Sequence, residues 1–102
     1  MEKLKAAFMF IAPEADPKKH KTIISTPEVE LHVVGVKSYD EACKVAKELV
    51  NQEIAAIELC GGFGNVGVAK VSEAVERKIP IGVVRFDIHP GLDNKSGDKL
   101  FI

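Results

Sequence analysis

The segment from Lys3 to Ala12 is the feature that most constrains the fold. It is apolar without alternation and rich in Phe and Ile. This pattern is typical of a β-strand that is covered on both faces, as in a parallel sheet. We therefore expect the chain to build a sheet around this first strand.

The rest of the chain alternates between strand and helix patterns. Three further strands are expected, at residues 28–33, 54–60 and 81–86. Three helices are expected between the strands, at residues 16–24, 38–49 and 65–78. In the second strand Glu28, Glu30 and His32 alternate with apolar residues, so one face of this strand should meet water at the edge of the sheet.

Strands that alternate with helices form βαβ units, and right-handed crossovers make such a sheet mostly parallel. The sequence therefore predicts an α/β fold with one domain over residues 1–102. Its small, mostly parallel sheet would have four strands with helices packed on it, in the order βαβαβαβ. The carboxyl ends of the strands would lie at one edge, where ligands bind in sheets of this kind.

Composition excludes several classes of partner. Among 102 residues, 14 Lys and Arg against 15 Asp and Glu give a net charge of −1, so no basic surplus favours nucleic acid. The longest apolar run is far too short to span a bilayer, and we expect no membrane partner. Cys43 and Cys60 are too few for a disulfide scaffold and match no zinc or redox spacing. We expect reduced thiols in a cytoplasmic protein without a metal site.

A sheet of four strands leaves apolar surface at its rim. The last three residues, Leu100, Phe101 and Ile102, are also apolar and follow a polar stretch. Burial against a second copy would remove both surfaces from water. We therefore expect a homo-oligomer.

The segment from Cys60 to Gly67 is the strongest candidate for a ligand site. It leaves a strand, enters a helix and contains four glycines. Free amides at a helix start, aligned with the helix dipole, attract phosphate or carboxylate. The alternative is a tight turn whose glycines only relieve steric strain. The predicted ligand-binding residues are Gly61, Gly62, Phe63, Gly64 and Asn65, together with Arg85.

The same glycines match a dinucleotide-binding pattern. Gly62, Gly64 and Gly67 fit G-x-G-x-x-G, and Asp87 follows at the end of the next predicted strand. However, the chain is too short for a complete two-halved dinucleotide domain, and Glu58 interrupts the preceding apolar strand. A small anion therefore fits better than a nicotinamide or flavin, and the sequence identifies no cofactor. Glu58 is either exposed at an edge or a buried acid with a partner.

Arg85, Asp87 and His89 alternate at the end of the fourth predicted strand, so an extended chain would point them to one side. Arg85 could hold a carboxylate or phosphate, while Asp87 orients His89 as an acid or base. The alternative is that Arg85 and Asp87 pair with each other and that His89 helps to form the Pro90-Gly91 turn.

Cys60 ends the third predicted strand near the same edge. A thiol close to a helix N-terminus can have a lowered pKa, which makes Cys60 a candidate nucleophile. The predicted catalytic residues are therefore His89, Cys60 and Asp87. A buried, inert cysteine is the alternative.

Three stretches carry a family resemblance: Lys5-Ala6-Ala7-Phe8, the turn at residues 58–64, and the strand at residues 83–87. With these stretches the chain resembles a family of small prokaryotic α/β proteins that is classed as a domain of unknown function. The resemblance covers nearly the whole length and implies one compact domain. It implies no activity, cofactor or catalytic residue.

The leading hypothesis from the sequence is binding of a small anionic metabolite, bearing phosphate or carboxylate, at the carboxyl edge of the sheet. One alternative is a small enzyme that uses His89 or Cys60 at that edge. Another is a homo-oligomeric assembly module without a ligand, in which residues 100–102 dock on another subunit.

Overall fold

The computed structural model describes residues 3–102, which form one five-stranded sheet and two α-helices. The strands are β1 (Leu4–Ile11), β2 (Lys21–Ser25), β3 (Val29–Val36), β4 (Ala56–Leu59) and β5 (Ile81–Val83). The helices are α1 (Tyr39–Asn51) and α2 (Asn65–Ala74), and two short 3-10 turns follow at Pro90–Leu92 and Gly97–Lys99.

The strands lie in the order β2-β3-β1-β4-β5. Neighbouring strands are parallel except for β2 and β3, which pair antiparallel. The mostly parallel α/β sheet is therefore confirmed. The predicted count of four strands and the order βαβαβαβ are wrong, because β2 stands where a helix was expected.

The predicted helix at residues 16–24 stops after one turn. Asp16 accepts a hydrogen bond from the amide of Lys18 at 2.9 Å, as a helix-start residue should. From Lys21 onward the backbone pairs with β3 instead. Thr22, Ile23 and Ile24 are β-branched residues that favour a strand, and the pairing overrides the local helix signal. As a result β2, and not β3, forms this edge of the sheet.

The other predicted elements are present with shifted ends. Helix α1 begins where its capping pattern predicts, since the hydroxyl of Ser38 accepts from the amide of Glu41 at 3.1 Å. The carboxylate of Glu41 accepts from the amide of Lys37, one residue before the position expected in a capping box. Helix α2 and strand β5 end earlier than predicted. The chain after α2 takes left-handed turns at Glu76 and Arg77.

Both helices lie on one face of the sheet, where they contact each other. The core sits between this helix layer and the sheet and includes Ala7, Met9, Val36, Ala42, Ala46, Ile57, Leu59 and Val71. Tyr39 and Phe63 are stacked at one end of it, with ring centroids 5.7 Å apart. No helix within residues 3–102 has the length and hydropathy to cross a membrane.

Within residues 3–102, no helix lies on the opposite face of the sheet. On β1, Ala7, Met9 and Ile11 are buried beneath the helices, whereas Phe8 and Phe10 alternate with them and point the other way. Phe8 and Phe10 lie outside the core cluster. The apolar pattern of β1 predicted that both of its faces would be covered. In residues 3–102, helices cover one face only.

Candidate functional site

The glycine-rich turn after β4 leads directly into α2, as predicted. The amides of Gly62, Phe63 and Gly64 donate to acceptors of the protein itself. The amide of Phe63 donates to the carbonyl oxygen of Cys60 at 3.1 Å, and the amide of Gly64 donates to the hydroxyl of Tyr39 at 3.0 Å. The turn is thus tied to its own strand and to the start of α1.

The start of α2 holds a carboxylate from residues near the end of the chain. Gly64, the residue before the helix, has no side chain with which to cap it. Asp98 fills this role: its Oδ2 accepts from the amide of Val66 at 3.1 Å and its Oδ1 from the amide of Gly67 at 3.3 Å. These amides are at the positive end of the helix dipole, where an anion is stabilised. An internal anion therefore occupies the start of α2, directly after the predicted ligand-binding residues 61–65.

Close packing explains why glycine is needed in this region. A Cβ at Gly64 would overlap the carboxyl group of Asp98, and a Cβ at Gly97 would overlap the carbonyl oxygen of Gly62. Residues 97 and 98 could not approach the turn if either position carried a side chain. Of the glycines in the predicted phosphate-binding pattern, Gly64 thus allows the chain's own Asp98 to dock, whereas Gly67 allows the ring of Tyr39 to approach.

The last residues are docked within the same subunit. Phe101 is buried in the core beside Tyr39, and its carbonyl oxygen accepts from the Tyr39 amide at 3.3 Å. Leu100 and Ile102 stay exposed. Phe101 therefore serves the internal core, and the tail as a whole is not a free docking segment.

Arg85, Asp87 and His89 follow β5, which ends at Val83, two residues before Arg85. Nη2 of Arg85 forms an exposed ion pair with Oδ1 of Asp87 at 2.8 Å. Nδ1 of His89 accepts from the amide of Gly91 at 2.9 Å, inside the turn that contains Pro90. These contacts agree with the second interpretation of the sequence, in which Arg85 pairs with Asp87 and His89 helps to form the turn.

His89 and Phe86 cover the glycine turn from outside. Their rings pack with centroids 4.7 Å apart, and both rings lie close to the place where a Cβ on Gly61 would stand. His89 is therefore near the turn that contains Cys60, although its contacts are structural. A catalytic role for His89 and Asp87 stays a prediction.

Cys60 lies at the end of β4 and is partly buried. Its Sγ accepts hydrogen bonds from the amides of Ile11 and Gly62, both at 3.4 Å. The sulfur thus acts as an acceptor that joins two loops of this edge. Cys43 packs against the core from α1, and burial raises the pKa of its thiol. A nucleophilic role for Cys60 stays a prediction.

Glu58 is exposed. It lies on β4 in register with Phe8, so it projects from the face of the sheet that the helices do not cover. Glu58 is therefore not a buried acid, but it is not at an edge of the sheet either, because β4 lies between β1 and β5.

A groove between β2, β3 and α1 is a site that sequence reasoning missed. It exists because residues 12–20 form turns where a helix was predicted, so nothing in that connection covers this flank of the sheet. Val34, Val45 and Leu49 form its buried apolar floor, and Ile23 stands at its outer wall. The groove has a volume of about 430 Å³, which is in the range of small-molecule sites.

Polar side chains lie around this apolar floor. Lys21, His32, Glu48 and Gln52 also line the groove. Nε2 of His32 is hydrogen-bonded to Oε2 of Glu30 at 2.8 Å, which fixes the ring and holds the pKa of Glu30 below its usual value. The side chain of His32 is only 17% exposed, although its alternating position predicts contact with water.

One signal in the sequence could have located the groove. The run from Thr22 to Ile24 is β-branched, and giving it more weight than the Asp16-Pro17 helix start would have placed a strand beside β3. His32 and Lys21 would then have fallen on one face of the sheet.

Comparison with known proteins identifies the family. Residues 4–99 match the model of a family of unknown function, DUF6506. The chain belongs to this family. The match to DUF6506 covers both the glycine-rich turn and the groove, and it assigns no role to either. No curated protein and no solved structure matches the chain.

Proposed function

We propose that this protein binds a small molecule that carries a carboxylate on an apolar body, and that the site is the groove between β2, β3 and α1. The observation that carries the proposal is the combination of an apolar floor with a lysine at the rim. Val34, Val45 and Leu49 are each buried, and Lys21, at the start of β2, lines the groove with them, as does one acid, Glu48. A cleft of this kind, apolar with few polar groups, is typical of ligand sites.

Lys21 supports the carboxylate part of the proposal. Within residues 3–102 its ammonium group forms neither an ion pair nor a hydrogen bond, so its charge is available to a ligand. The ring of His32 is held by Glu30 through Nε2. Its Nδ1 has no protein partner among the same residues. Because Nε2 gives its proton to Glu30, Nδ1 donates to a carboxylate only in the doubly protonated ring.

The apolar floor supports the rest of the ligand. Contact with Leu49 and Val45 would remove apolar surface from water on both sides, and each buried methylene contributes about 0.8 kcal/mol. Because the groove is open along its length, a short aliphatic or aromatic acid fits better than a large cofactor. We also propose a cytoplasmic location, since Cys43 and Cys60 are both free thiols.

Calorimetric titration with hexanoate and with hexanamide tests the proposal. The two probes share the apolar chain and differ in charge, so hexanoate should bind more tightly. Lys21→Gln should reduce hexanoate affinity by about tenfold and leave hexanamide affinity unchanged. Lys19→Gln, an exposed lysine outside the groove lining, is the matched control. Equal affinities for acid and amide, or an equal loss in both variants, would reject the carboxylate site.

A second candidate is the anion site that the sequence predicts at the start of α2. It is favoured by one observation: the amides of Val66 and Gly67 already bond to a carboxylate. An external anion would have to replace Asp98 there, with Gly61, Gly62, Phe63, Gly64, Asn65 and Arg85 around it. Phosphate binding by the wild-type protein that becomes tighter in Asp98→Ala would support this candidate, and binding that appears only in the variant would reject it.

A further inference from the structure

We infer that two copies of this chain pack face to face through the side of the sheet that carries no helices. The surface, called the open face below, consists of side chains from β1, β2 and β3. Its members are Leu4, Ala6, Phe8, Phe10, Thr22, Ile24, Val29, Leu31, Val33 and Gly35. This inference does not depend on the proposed ligand site, which lies on the opposite side of the same strands.

The strand register defines the open face. Phe8 is in register with Val33, and Ala6 with Leu31, so these side chains project to the same side. Ile24 of β2 is in register with Leu31. The alternate residues, such as Met9 and Val34, are buried beneath the helices.

The distribution of charge on these three strands is one-sided. Their charged or titratable residues are Lys5, Lys21, Glu30 and His32, and all four lie in register with the helix side. The open face of β1, β2 and β3 has no charged side chain. A sheet face that meets water normally carries polar residues in alternation with the buried ones. This face therefore has the composition of a buried surface.

Large apolar side chains are accessible on the open face. Leu4 is 52% exposed and Ile24 is 53% exposed, while Phe8, Phe10, Leu31 and Val33 shield one another only in part. The ring of Phe10 packs over Gly35, where a Cβ would overlap it. The accessible side chains of this face are therefore mainly apolar.

The footprint of the open face sets the strength of the dimer to expect. Strands β1, β2 and β3 contain 8, 5 and 8 residues, so at about 3.3 Å per residue and about 4.8 Å between strands their planar footprint is roughly 330 Å² before the relief of the side chains is counted. A standard interface buries about 800 Å² of accessible surface per partner, and smaller interfaces belong to weaker complexes. We therefore expect a dimer whose formation depends on the protein concentration.

A second copy suits this face better than a charged partner or a lipid surface. An isologous contact requires a surface that complements itself, and a flat face without charge meets this requirement. Two sheets can pack in this way about 10 Å apart. The acidic side chain of Glu58 borders the face on β4, and a negative charge at this border disfavours anionic lipid.

Ile24 and Ile23 provide a matched pair of variants. They are adjacent on β2 and similarly exposed, 53% and 55%, but Ile24 lies on the open face and Ile23 on the helix side. A lysine should be tolerated at either position because neither is buried. Only Ile24→Lys would place a charge in the proposed interface.

Sedimentation equilibrium from micromolar to near-millimolar protein gives the test. We expect the wild-type protein at twice the chain mass of 11.1 kDa, with Ile23→Lys unchanged and Ile24→Lys at least about tenfold weaker in self-association. Leu31→Lys, at the centre of the face, should abolish the dimer, with circular dichroism to verify its fold. A wild-type monomer throughout the range, or equal effects of Ile23→Lys and Ile24→Lys, would overturn the inference.

Discussion

Tyr39 and Asp98 are 59 residues apart in the chain, yet the hydroxyl of Tyr39 donates a hydrogen bond of 2.8 Å to Oδ1 of Asp98. The same hydroxyl accepts from the amide of Gly64 at 3.0 Å. This contact joins the start of α1, the turn before α2 and the residues near the end of the chain. It also places a carboxylate on the helix start that the sequence marks as an anion site.

Removal of the Asp98 charge should destabilise the fold. In Asp98→Asn the amide group can accept through one oxygen only, so at least one donor at the start of α2 loses its partner. We expect a loss of about 1 to 3 kcal/mol in the free energy of unfolding. The Tm should fall by roughly 4–8 °C for each kcal/mol in a domain of this size. Thermal unfolding followed by circular dichroism measures both.

Asp93→Asn is the matched control for this variant. It removes the same charge from the same segment, and Asp93 is exposed in a left-handed conformation that asparagine tolerates. The two variants should differ in Tm by several degrees. Similar Tm values would mean that Asp98 does not cap α2.

The ionisation of Tyr39 should be coupled to unfolding. Burial raises the pKa of Tyr39 above its usual value of 10.0, because the charged phenolate would lose its hydration. Since the unfolded chain ionises first, stability is retained below pH 10 and is lost progressively as the pH rises above that value.

Tyrosinate absorbance can follow this group alone, because the chain has one Tyr and no Trp. We expect absorbance and far-UV circular dichroism to change together in an alkaline titration. Ionisation near the ordinary pKa, with native circular dichroism, would show that Tyr39 is not enclosed as described.

Gly97→Ala should be far more damaging than Gly82→Ala. A Cβ at Gly97 would overlap the Gly62 carbonyl oxygen and displace the segment that carries Asp98. A Cβ at Gly82 would meet only the Glu58 side chain at 4.0 Å. We expect a loss of more than about 1 kcal/mol for the first variant. The second should change stability by less than about 0.5 kcal/mol, as measured by urea unfolding.

The variant Arg85→Gln distinguishes ligand binding at the carboxyl edge of the sheet from ligand binding in the groove. Arg85 makes an exposed ion pair with Asp87, and such pairs contribute about 0 to 1 kcal/mol to stability. We therefore expect little change in Tm and no change in hexanoate affinity. A marked fall in the hexanoate affinity of this variant would indicate that the ligand binds at the carboxyl edge of the sheet.

The sequence could predict those elements whose signals are local. The capping pattern at Ser38 and the apolar spacing that follows it locate α1, and the apolar run around Met9 locates β1. The helix-start signal at Asp16-Pro17 led to a wrong prediction, because the segment from Lys21 onward pairs with β3 and forms a strand. Asp98 could not be assigned to the start of α2, because no pattern links it to Val66 across 32 residues.

The site was harder to predict than the fold for the same reason. Glycines at 62, 64 and 67 fit a phosphate-binding turn, and they also fit a turn that packs closely against Asp98 and Tyr39, so the pattern alone does not distinguish the two. The groove exists because the helix predicted at residues 16–24 does not form. Lys21 and His32 both line the groove only because β2 pairs with β3.

The most direct test of the account is a titration of isotope-labelled wild-type protein with hexanoate, followed by amide chemical shifts. We expect the shifts to map to β2, to residues 32–34 and to the second half of α1, while the amides of Val66 and Gly67 stay fixed on Asp98. Shifts confined to residues 61–67, with none in the groove, would contradict the account, because they would show that the start of α2 is open to ligand.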